Sequence, residues 1–452
     1  MLFSSIPFLY YFLPVVLAVY FLAPKGWRNG VLLAASLVFY GWGEPKFLLL
    51  MAAAILLFYG FGRMVGSSAH KRGWLIAAVI TGAVLLGVFK YADFFISTVN
   101  GLTGLSLPLL KLALPIGISF YLFQCVSYVA DVYRGQAAPQ KSLVKFGTYV
   151  SMFPQLIAGP IVRYVDVAAQ LDDRTVTWPD VQLGIRRFLL GLGKKVLLAN
   201  QFGQLIEIFR DCPEPSTLFY WMYAVGYMLH IYFDFSGYSD MAIGLGHLLG
   251  FRFPENFRYP YLAKSVAEFW RRWHMTLGSW FRDYVYIPMG GNRVSQWRWV
   301  RNILTVWALT GLWHGAAWNF VLWGLLFALL LMLEKWLPLE RLPGLLRRAY
   351  VLLAVCLSFV IFNGESMAQI AGDFAGLFGA FPFSNGVALY YLRSYALLFA
   401  VGFVGATDLP KKLADRLPGK AAAEPVALLV LLLLCTAYLV DGSFNPFLYF
   451  RF

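Results

Sequence analysis

Long apolar stretches recur from one end of the chain to the other, with short polar segments between them. Each is long enough to cross most or all of a hydrocarbon core of about 30 Å as a helix rising 1.5 Å per residue. Backbone groups have almost no water to bond inside a bilayer, so these stretches are predicted to be helical. The predicted spans are residues 6–23, 29–42, 47–65, 74–89, 115–132, 216–235, 236–251, 303–320, 321–336, 350–362, 391–404 and 426–440.

The pattern predicts an all-α polytopic membrane protein with about 11 to 12 transmembrane helices. Composition supports this class: 60% of the 452 residues are hydrophobic and 13% are charged, whereas soluble domains have roughly 25% charged residues. The first span carries no lysine or arginine before it, has prolines at positions 7 and 14, and lacks a clear cleavage site. We interpret it as a retained span and not a signal peptide.

The net charge of +14 is predicted to be mostly a topology signal. Cytoplasmic loops of membrane proteins are enriched in lysine and arginine, and placing both termini outside puts every strongly basic loop inside. The basic clusters are Lys25 and Arg28; Arg63, Lys71 and Arg72; Arg134, Lys141 and Lys145; 252–301; Arg341, Arg347 and Arg348; and Lys411, Lys412, Arg416 and Lys420. No soluble basic domain is predicted, so nucleic-acid binding is disfavoured.

Residues 146–162 are apolar but interrupted by Pro154, Gly159 and Pro160. Proline removes a backbone donor and breaks a helix, so a re-entrant or interfacial segment is expected. Irregular backbone at membrane depth survives when buried in protein or lining a cavity, which makes the segment a candidate wall of a central chamber. The alternative is a proline-rich turn between two interfacial helices.

Residues 265–286 are predicted to form one amphipathic interfacial helix. At 100° per residue, Trp270, His274, Leu277 and Phe281 adjoin on an aromatic face, so His274 is expected to pack inward between Trp270 and Phe281. Glu268, Arg271, Arg272, Arg282 and Asp283 lie on the other face. A membrane-surface helix is the alternative explanation for the arginines.

His314 is predicted near the middle of the span 303–320. Gly311 and Gly315 would allow close helix packing, with Thr310 and Trp318 on the same face as the histidine. Burial disfavours the protonated imidazolium, which leaves a neutral ring able to accept a proton as a general base. The alternative is a core histidine bonded to a neighbouring carbonyl.

Other polar groups give weaker signals. His230 and Asp234 are four residues apart on one predicted helix and could pair structurally. The loop Gly290–Arg293 could hold an anion through backbone N–H groups, although double glycines are common in plain turns. The four cysteines have neither metal-ligand spacing nor a disulfide framework, so no metal site is predicted.

Several of these motifs occur in the order typical of one family. The chain resembles the membrane-bound O-acyltransferase family, and within it the bacterial alginate O-acetyltransferase branch, whose members acetylate exported polysaccharides or peptidoglycan. The tract 268–293 is the most branch-specific. The matching blocks are residues 114–124, 131–134, 153–160, 231–240, 268–277, 311–318 and 445–452.

The resemblance implies a single transmembrane domain over 1–452, with a catalytic core at about 110–340 around a central chamber. It implies an active-site histidine at His314 and a second functional histidine at His274. Acetyl-CoA would enter from the cytoplasm as a substrate, with no permanently bound cofactor. Residues 252–301 contain nine basic and three acidic residues, and this excess of positive charge would attract the phosphates of acetyl-CoA. Candidate substrate contacts are Trp270, Arg271, Arg272, Arg282, Asn292, Arg293, Asp234 and Trp318.

The implied reaction is acyl transfer in the bacterial cytoplasmic membrane. His314 would take a proton from an acceptor hydroxyl, while His274 or nearby donors steady the oxyanion or position the thioester. An extracytoplasmic partner of the SGNH type would pass the acetyl group to an exported polysaccharide or peptidoglycan. The alternatives are D-alanyl transfer toward teichoic acid from a carrier protein, and a non-catalytic transporter or scaffold. The chain departs from common family residues at Leu326 and His230.

Overall fold

The computed structural model describes residues 1–157, 159–442 and 444–445, without the side chain of Lys420. Within these ranges the regular elements are all helices and no strand occurs, which confirms the predicted all-α class. Ala158 of the interrupted segment and residues 446–452 of the C-terminal motif lie outside the described residues.

Six helical stretches in the described part of the chain are long and apolar enough to cross a membrane. The chain is therefore a multi-pass membrane protein. Each of the predicted spans 47–65, 74–89, 321–336, 350–362, 391–404 and 426–440 lies inside one of them. The six stretches are Pro45–Ser67, Lys71–Thr103, Trp318–Trp336, Gly344–Asn363, Gly386–Gly405 and Ala421–Asp441.

The other predicted spans do not form helices that are both long enough and apolar enough to be counted among these six. The predicted number of about twelve spans therefore exceeds the number that meets the length and composition criteria. Phe8–Leu22 is apolar but short. The helices at the predicted spans 29–42 and 115–132 have 16 residues each, or about 24 Å at 1.5 Å per residue. The side of the membrane on which the termini lie stays a prediction.

The chain divides into two compact units, the first comprising residues 1–188 and 239–254. An aromatic cluster that includes Phe3, Phe8, Phe39 and Phe153 lies at its core. Its helices are α1 (Leu13–Leu22), α2 (Arg28–Gly43), α3 (Leu48–Ser67), α4 (Lys71–Leu86), α5 (Ala92–Thr103), α6 (Ile118–Tyr133), α7 (Leu143–Ser151), α8 (Phe153–Leu156), α9 (Tyr164–Asp172) and most of α10 (Trp178–Gly193).

The predicted interruption in residues 146–162 is confirmed. Helix α7 ends at Ser151 and α8 is a single turn, and residues 159–163, which the structure describes, belong to no helix. Met152, Phe153 and Leu156 are fully buried, and Gln155 donates a hydrogen bond to the Tyr149 carbonyl. The segment is thus buried in protein within its own unit, while a role as a chamber wall stays a prediction.

The second unit comprises residues 189–238 and 255–452. It contains both histidines that the sequence points to. Its helices are α11 (Asn200–Arg210), most of α12 (Thr217–Leu248), α13 (Val266–Trp270), α14 (Met275–Phe281), α15 (Gln296–His314), α16 (Trp318–Trp336), α17 (Gly344–Asn363), α18 (Met367–Leu377), α19 (Gly386–Gly405), α20 (Leu409–Arg416) and α21 (Lys420–Asp441).

The two spans predicted at 216–235 and 236–251 are one continuous helix, α12, of 32 residues. Two glycines in this helix allow close packing against α10. A Cβ on Gly237 would lie 2.8 Å from the Gly191 carbonyl oxygen of α10, and one on Gly244 would lie 2.6 Å from that of Gly184. Glycine at these positions lets the two backbones touch without breaking the helix.

Helices α15 and α16 pack closely in the same manner, as Gly311 predicts. A Cβ on Gly311 would lie 2.2 Å from the Phe320 carbonyl oxygen, and one on Gly324 would lie 2.2 Å from that of Trp307. Because both obstacles are backbone atoms, they cannot rotate away. This contact fixes which side chains of α16 stand beside the end of α15.

Replacing Gly324 with alanine should destabilise the protein, although alanine favours helix more than glycine by about 1 kcal/mol. The clash should cost roughly 1–3 kcal/mol, seen as a lower thermal midpoint in detergent. Gly372→Ala is the matched control, because nothing lies within 4 Å of its Cβ position in α18. A rise or no change in the midpoint for Gly324→Ala would contradict the packing argument.

Candidate active site

His314 is the last residue of α15, not the middle of a span as predicted. The helix ends because Gly315 adopts extended dihedrals, φ −165° and ψ 152°, and α16 begins again at Trp318. His314 as a whole is half-buried, and the Nε2 atom of its ring is buried. Its ring centroid lies 5.2 Å from that of Trp323 and 5.3 Å from that of Phe362. His314 therefore lies at a break between α15 and α16, next to the aromatic rings of Trp323 and Phe362.

His274 lies in a turn, so the single helix predicted over 265–286 is wrong. Helix α13 ends at Trp270 and α14 begins at Met275, and His274 between them has φ 44° and ψ 50°, a left-handed backbone rare for residues other than glycine. The predicted inward placement is correct, since the side chain is 2% exposed. Its ring packs at 4.6 Å on Phe235 of α12 and at 5.7 Å on Trp313.

The turn at His274 is held in place from two sides. The Glu334 carboxylate of α16 accepts hydrogen bonds from the backbone N–H groups of Val266 and Ala267, which fixes the start of α13. Asn256, just before α13 in the chain, bonds to residues 274 to 276. Because of these polar contacts, residues 265–286 do not form one amphipathic helix. The aromatic residues predicted on one face are instead divided between α13, α14 and the turn between them.

The structure brings the two histidines together across forty residues of sequence. Their ring centroids are 6.4 Å apart, close enough for one substrate group to contact both rings. Burial, and then repulsion from His314 when that ring is protonated, lowers the pKa of His274 well below its usual value. The His274 imidazole is consequently neutral at physiological pH, the state in which a ring nitrogen can accept a proton.

Trp270 lies away from His274, which corrects the predicted pairing of the two. Its ring packs on Trp307 at 4.7 Å, on Phe327 at 4.8 Å and on Trp323 at 5.6 Å. The indole N–H groups of Trp270 and Trp323 are buried, and neither has a hydrogen-bond partner among the described residues. A buried donor without a partner costs free energy, so these two groups are candidates for contact with substrate.

The candidate arginines lie at the polar edge of this region. Arg272 bonds the Glu268 carboxylate at 2.6 Å, and Arg282 bonds that of Asp283 at 2.7 Å. Arg271 and Arg293 are exposed. Two of the predicted phosphate contacts are thus partly neutralised by carboxylates, while the exposed pair can still meet an anion.

The loop Gly290–Arg293 is a closed turn, the second of the two possibilities that its sequence leaves open. The backbone N–H groups of Gly290, Gly291 and Arg293 donate to carbonyls of Ile287, Tyr286 and Gly290. The Asn292 amide oxygen accepts from the Tyr286 hydroxyl. The donors that an anion would need are therefore occupied inside the loop.

Asp234 and Trp318 are the remaining candidate substrate contacts, and the sequence also makes Asp234 a possible partner of His230. Asp234 forms an ion pair with Lys195 at 2.6 Å, both almost fully buried, while His230 contacts the Ala199 carbonyl through Nδ1 at 2.7 Å. Trp318 is the first residue of α16 and is 51% exposed. It does not share a helix face with His314, because α15 ends before it.

Comparisons with known proteins identify the family of the chain. A model of the membrane-bound O-acyltransferase family matches residues 104–367. The chain belongs to the membrane-bound O-acyltransferase family. It is 37% identical to a protein of Azotobacter vinelandii named "probable alginate O-acetylase", over 100% of both chains. It is 33% identical to a peptidoglycan O-acetyltransferase of Helicobacter pylori, over 88% of this chain and 83% of the relative.

A more distant relative bears on the alternative acyl group. A teichoic acid D-alanyltransferase of Bacillus subtilis is 29% identical over 55% of this chain and 69% of its own length. The end-to-end similarity to alginate O-acetylases assigns the chain to the alginate O-acetyltransferase branch of the O-acyltransferase family. An enzyme of the O-acyltransferase class is therefore established, and the transporter or scaffold alternative is set aside.

Sequence analysis missed four residues around the histidines of this O-acyltransferase. Asn256 and Phe362 are distant in sequence and gave no signal. Trp313 and Trp323 could have been noticed as tryptophans beside the histidine motif and beside Gly324. Phe362 is held near His314 because Asn319 donates hydrogen bonds to the carbonyls of Phe362 and Gly364, at 3.1 and 2.9 Å.

Protein stability should fall as the pH drops below about 6.5, the ordinary pKa of histidine. The unfolded chain then binds a proton at His274 that the folded protein does not, which costs up to roughly 1.4 kcal/mol per pH unit. Thermal midpoints in detergent between pH 7 and pH 5 should therefore decline less for His274→Gln than for the wild type. His70→Gln, on the surface, is the control. Equal slopes for all three proteins would refute the neutral buried state of His274.

Proposed function

We propose that this chain takes an acetyl group from cytoplasmic acetyl-CoA and passes it across the bacterial inner membrane for O-acetylation of an exported polymer. An alginate-like polysaccharide is the first acceptor class and peptidoglycan the second, because relatives named for both activities align over most of the chain. The proposal rests on one observation above all. Two histidines stand 6.4 Å apart among buried indoles in a chain that aligns end to end with an alginate O-acetylase.

In the proposed reaction, His314 acts as the general base. The neutral imidazole takes the proton of an acceptor hydroxyl, whose oxygen attacks the thioester carbonyl. A carbon–oxygen bond forms, the carbon–sulfur bond breaks, and the proton is returned to the leaving thiolate of CoA. The position of His314 at a helix break supports this role, because the residue is half-buried at the end of α15 and not packed inside a span.

The buried indoles supply the second requirement of acyl transfer, a donor for the oxyanion. Negative charge on the thioester oxygen is stabilised by N–H groups placed in advance in a site that excludes water. Trp323 and Trp270 each carry a buried N–H without a partner among the described residues. The Trp323 ring centroid lies 5.2 Å from that of His314, so we assign Trp323 as the first donor.

The exposed arginines suggest where acetyl-CoA arrives. Arg271 and Arg293 are exposed, on the basic side that the positive-inside pattern predicts to be cytoplasmic, and attraction of a phosphorylated donor raises its local concentration. On the other side we expect an extracytoplasmic partner of the SGNH type, as the family resemblance implies. D-alanyl transfer from a carrier protein is the second candidate, favoured by the partial match to a D-alanyltransferase.

Replacing His314 with alanine or glutamine should abolish transfer, since loss of a general base lowers rates by about 10²–10⁴-fold. The measurement uses isotopically labelled acetyl-CoA supplied to the cytoplasmic face of membrane vesicles, with label counted in exported polymer. His70→Ala is the control for expression and folding.

Two outcomes of this assay would contradict the proposal. Full acetylation by a normally folded His314→Ala variant would remove the base role. Transfer of label from a D-alanyl carrier protein, with none from acetyl-CoA, would replace the proposed function with the second candidate.

Trp323→Phe should lower the rate of acetyl transfer by about 10²-fold, the usual cost of losing one oxyanion donor. Phenylalanine keeps part of the ring packing and removes the N–H group, but it leaves a cavity that should lower the thermal midpoint, so rates are compared per folded enzyme. Trp297→Phe, at an exposed position, is the matched control and should keep full activity. A Trp323→Phe enzyme with wild-type kcat would show that the indole N–H takes no part.

A further inference from the structure

Asn256 makes an unusual set of contacts for a residue outside any helix. It is fully buried, and its side-chain oxygen Oδ1 lies 3.1 Å from Nδ1 of His274. The same oxygen accepts hydrogen bonds from the Thr276 backbone N–H at 3.3 Å and from the Thr276 hydroxyl at 2.9 Å. The Asn256 carbonyl accepts from the Met275 backbone N–H at 3.0 Å. One asparagine thus holds three consecutive residues.

These contacts determine which nitrogen of His274 carries the proton. A backbone N–H can only donate, so the Asn256 atom that faces Thr276 must be the carbonyl oxygen and not the amide nitrogen. His274 meets that same oxygen, and therefore its Nδ1 carries the hydrogen. In the neutral ring the other nitrogen, Nε2, then has a lone pair and no hydrogen.

The free nitrogen of His274 is therefore a hydrogen-bond acceptor. Its Nε2 atom is buried and has no partner among the described residues. An acceptor cannot donate to an oxyanion, which corrects that part of the role expected for His274. A buried acceptor beside His314 is instead suited to an O–H or N–H group of a ligand.

The backbone at His274 gives a second reason for the asparagine. A left-handed conformation at a residue other than glycine is strained, and such strain persists where surrounding contacts enforce it. Here the bonds from Asn256 to residues 274, 275 and 276 enforce it. The turn directs the imidazole toward α15, where it meets Trp313 and His314.

We propose that Asn256 is a positioning residue that fixes His274 as the acceptor for an O–H or N–H group of a bound substrate. This inference rests on the proposed acyl-transfer function. Two substrate groups share the required chemistry: the hydroxyl of the acceptor and the amide N–H of the pantetheine arm of acetyl-CoA. His314 is the titratable neighbour of His274, while Phe235 of α12 and Trp313 of α15 are uncharged.

The proton position can be measured directly by nitrogen-15 NMR of histidine-labelled protein in bilayers. The chain has five histidines, and the His274 signals are those lost in His274→Gln. The wild type should show His274 with its proton on Nδ1, and Asn256→Leu should lose this preference. Thr276→Val, which removes one contact to Asn256 and none to His274, should keep it. A wild-type His274 protonated on Nε2 would overturn the proposal.

Kinetics distinguish positioning from mere structural support. In Asn256→Asp the carboxylate favours the protonated imidazolium, so the acid limb of the pH–rate profile should move upward by about 1–2 pH units. Asn256→Leu should lower kcat/KM without that movement. An unchanged acid limb in a folded Asn256→Asp enzyme would overturn the proposal.

The Michaelis constants identify the substrate group. In Asn256→Leu, a raised KM for acetyl-CoA assigns the contact to the pantetheine amide, and a raised KM for the acceptor assigns it to the hydroxyl. Wild-type values of kcat and both KM would refute the positioning role. Such a result would refute the role of Asn256 without refuting the proposed function. In that case the wild type would still transfer acetyl and His314→Ala would still be inactive.

Discussion

The close contact of α15 with α16 is the constraint on which the candidate site depends. Gly311 and Gly324 let the two backbones approach until a Cβ at either position would lie 2.2 Å from a carbonyl oxygen of the other helix. Gly315 then ends α15 directly after His314. As a result, the histidine stands beside Trp323 instead of inside a continuous span. A larger residue at either glycine would separate the helices and remove the indole from the imidazole.

Buried polar groups set the second level of organisation, because each costs free energy in an apolar interior unless it has a partner. In the second unit Lys195 pairs with Asp234, and Arg210 forms a two-point contact with Asp373 while also bonding Tyr223. Removing one partner of such a pair typically costs about 3–5 kcal/mol. The Lys195–Asp234 pair holds α12 in place at Asp234. The next residue, Phe235, supplies the ring that packs on His274. The Lys195–Asp234 pair therefore stabilises the part of α12 that carries one wall of the candidate site.

Three polar groups of the site differ from these ion pairs, because they are buried without a partner among the described residues. They are the indole N–H groups of Trp270 and Trp323 and the Nε2 atom of His274. Trp323 and His274 lie next to His314, and Trp270 packs on Trp323. These two donors and one acceptor match the needs of acyl transfer. The reaction requires donors for a developing oxyanion and an acceptor that orients an incoming group. The aromatic rings that surround them exclude water, which strengthens each such contact.

The sequence by itself determined the all-α membrane class, the apolar helices, the interrupted segment near Pro154 and the two histidine motifs, because these follow from local composition and ordered motifs. It could not determine where helices end: the break after His314 and the turn at His274 depend on Gly315, Glu334 and Asn256 acting across helices. Only the tertiary structure decided that α12 is continuous and that backbone N–H groups of the Gly290 loop bond to carbonyls of the same segment. It also decided that Asn256 and Trp323 lie beside the histidines. The physical reason is that hydrogen bonds and close backbone contacts join residues far apart in the chain, and no periodicity in the sequence records them.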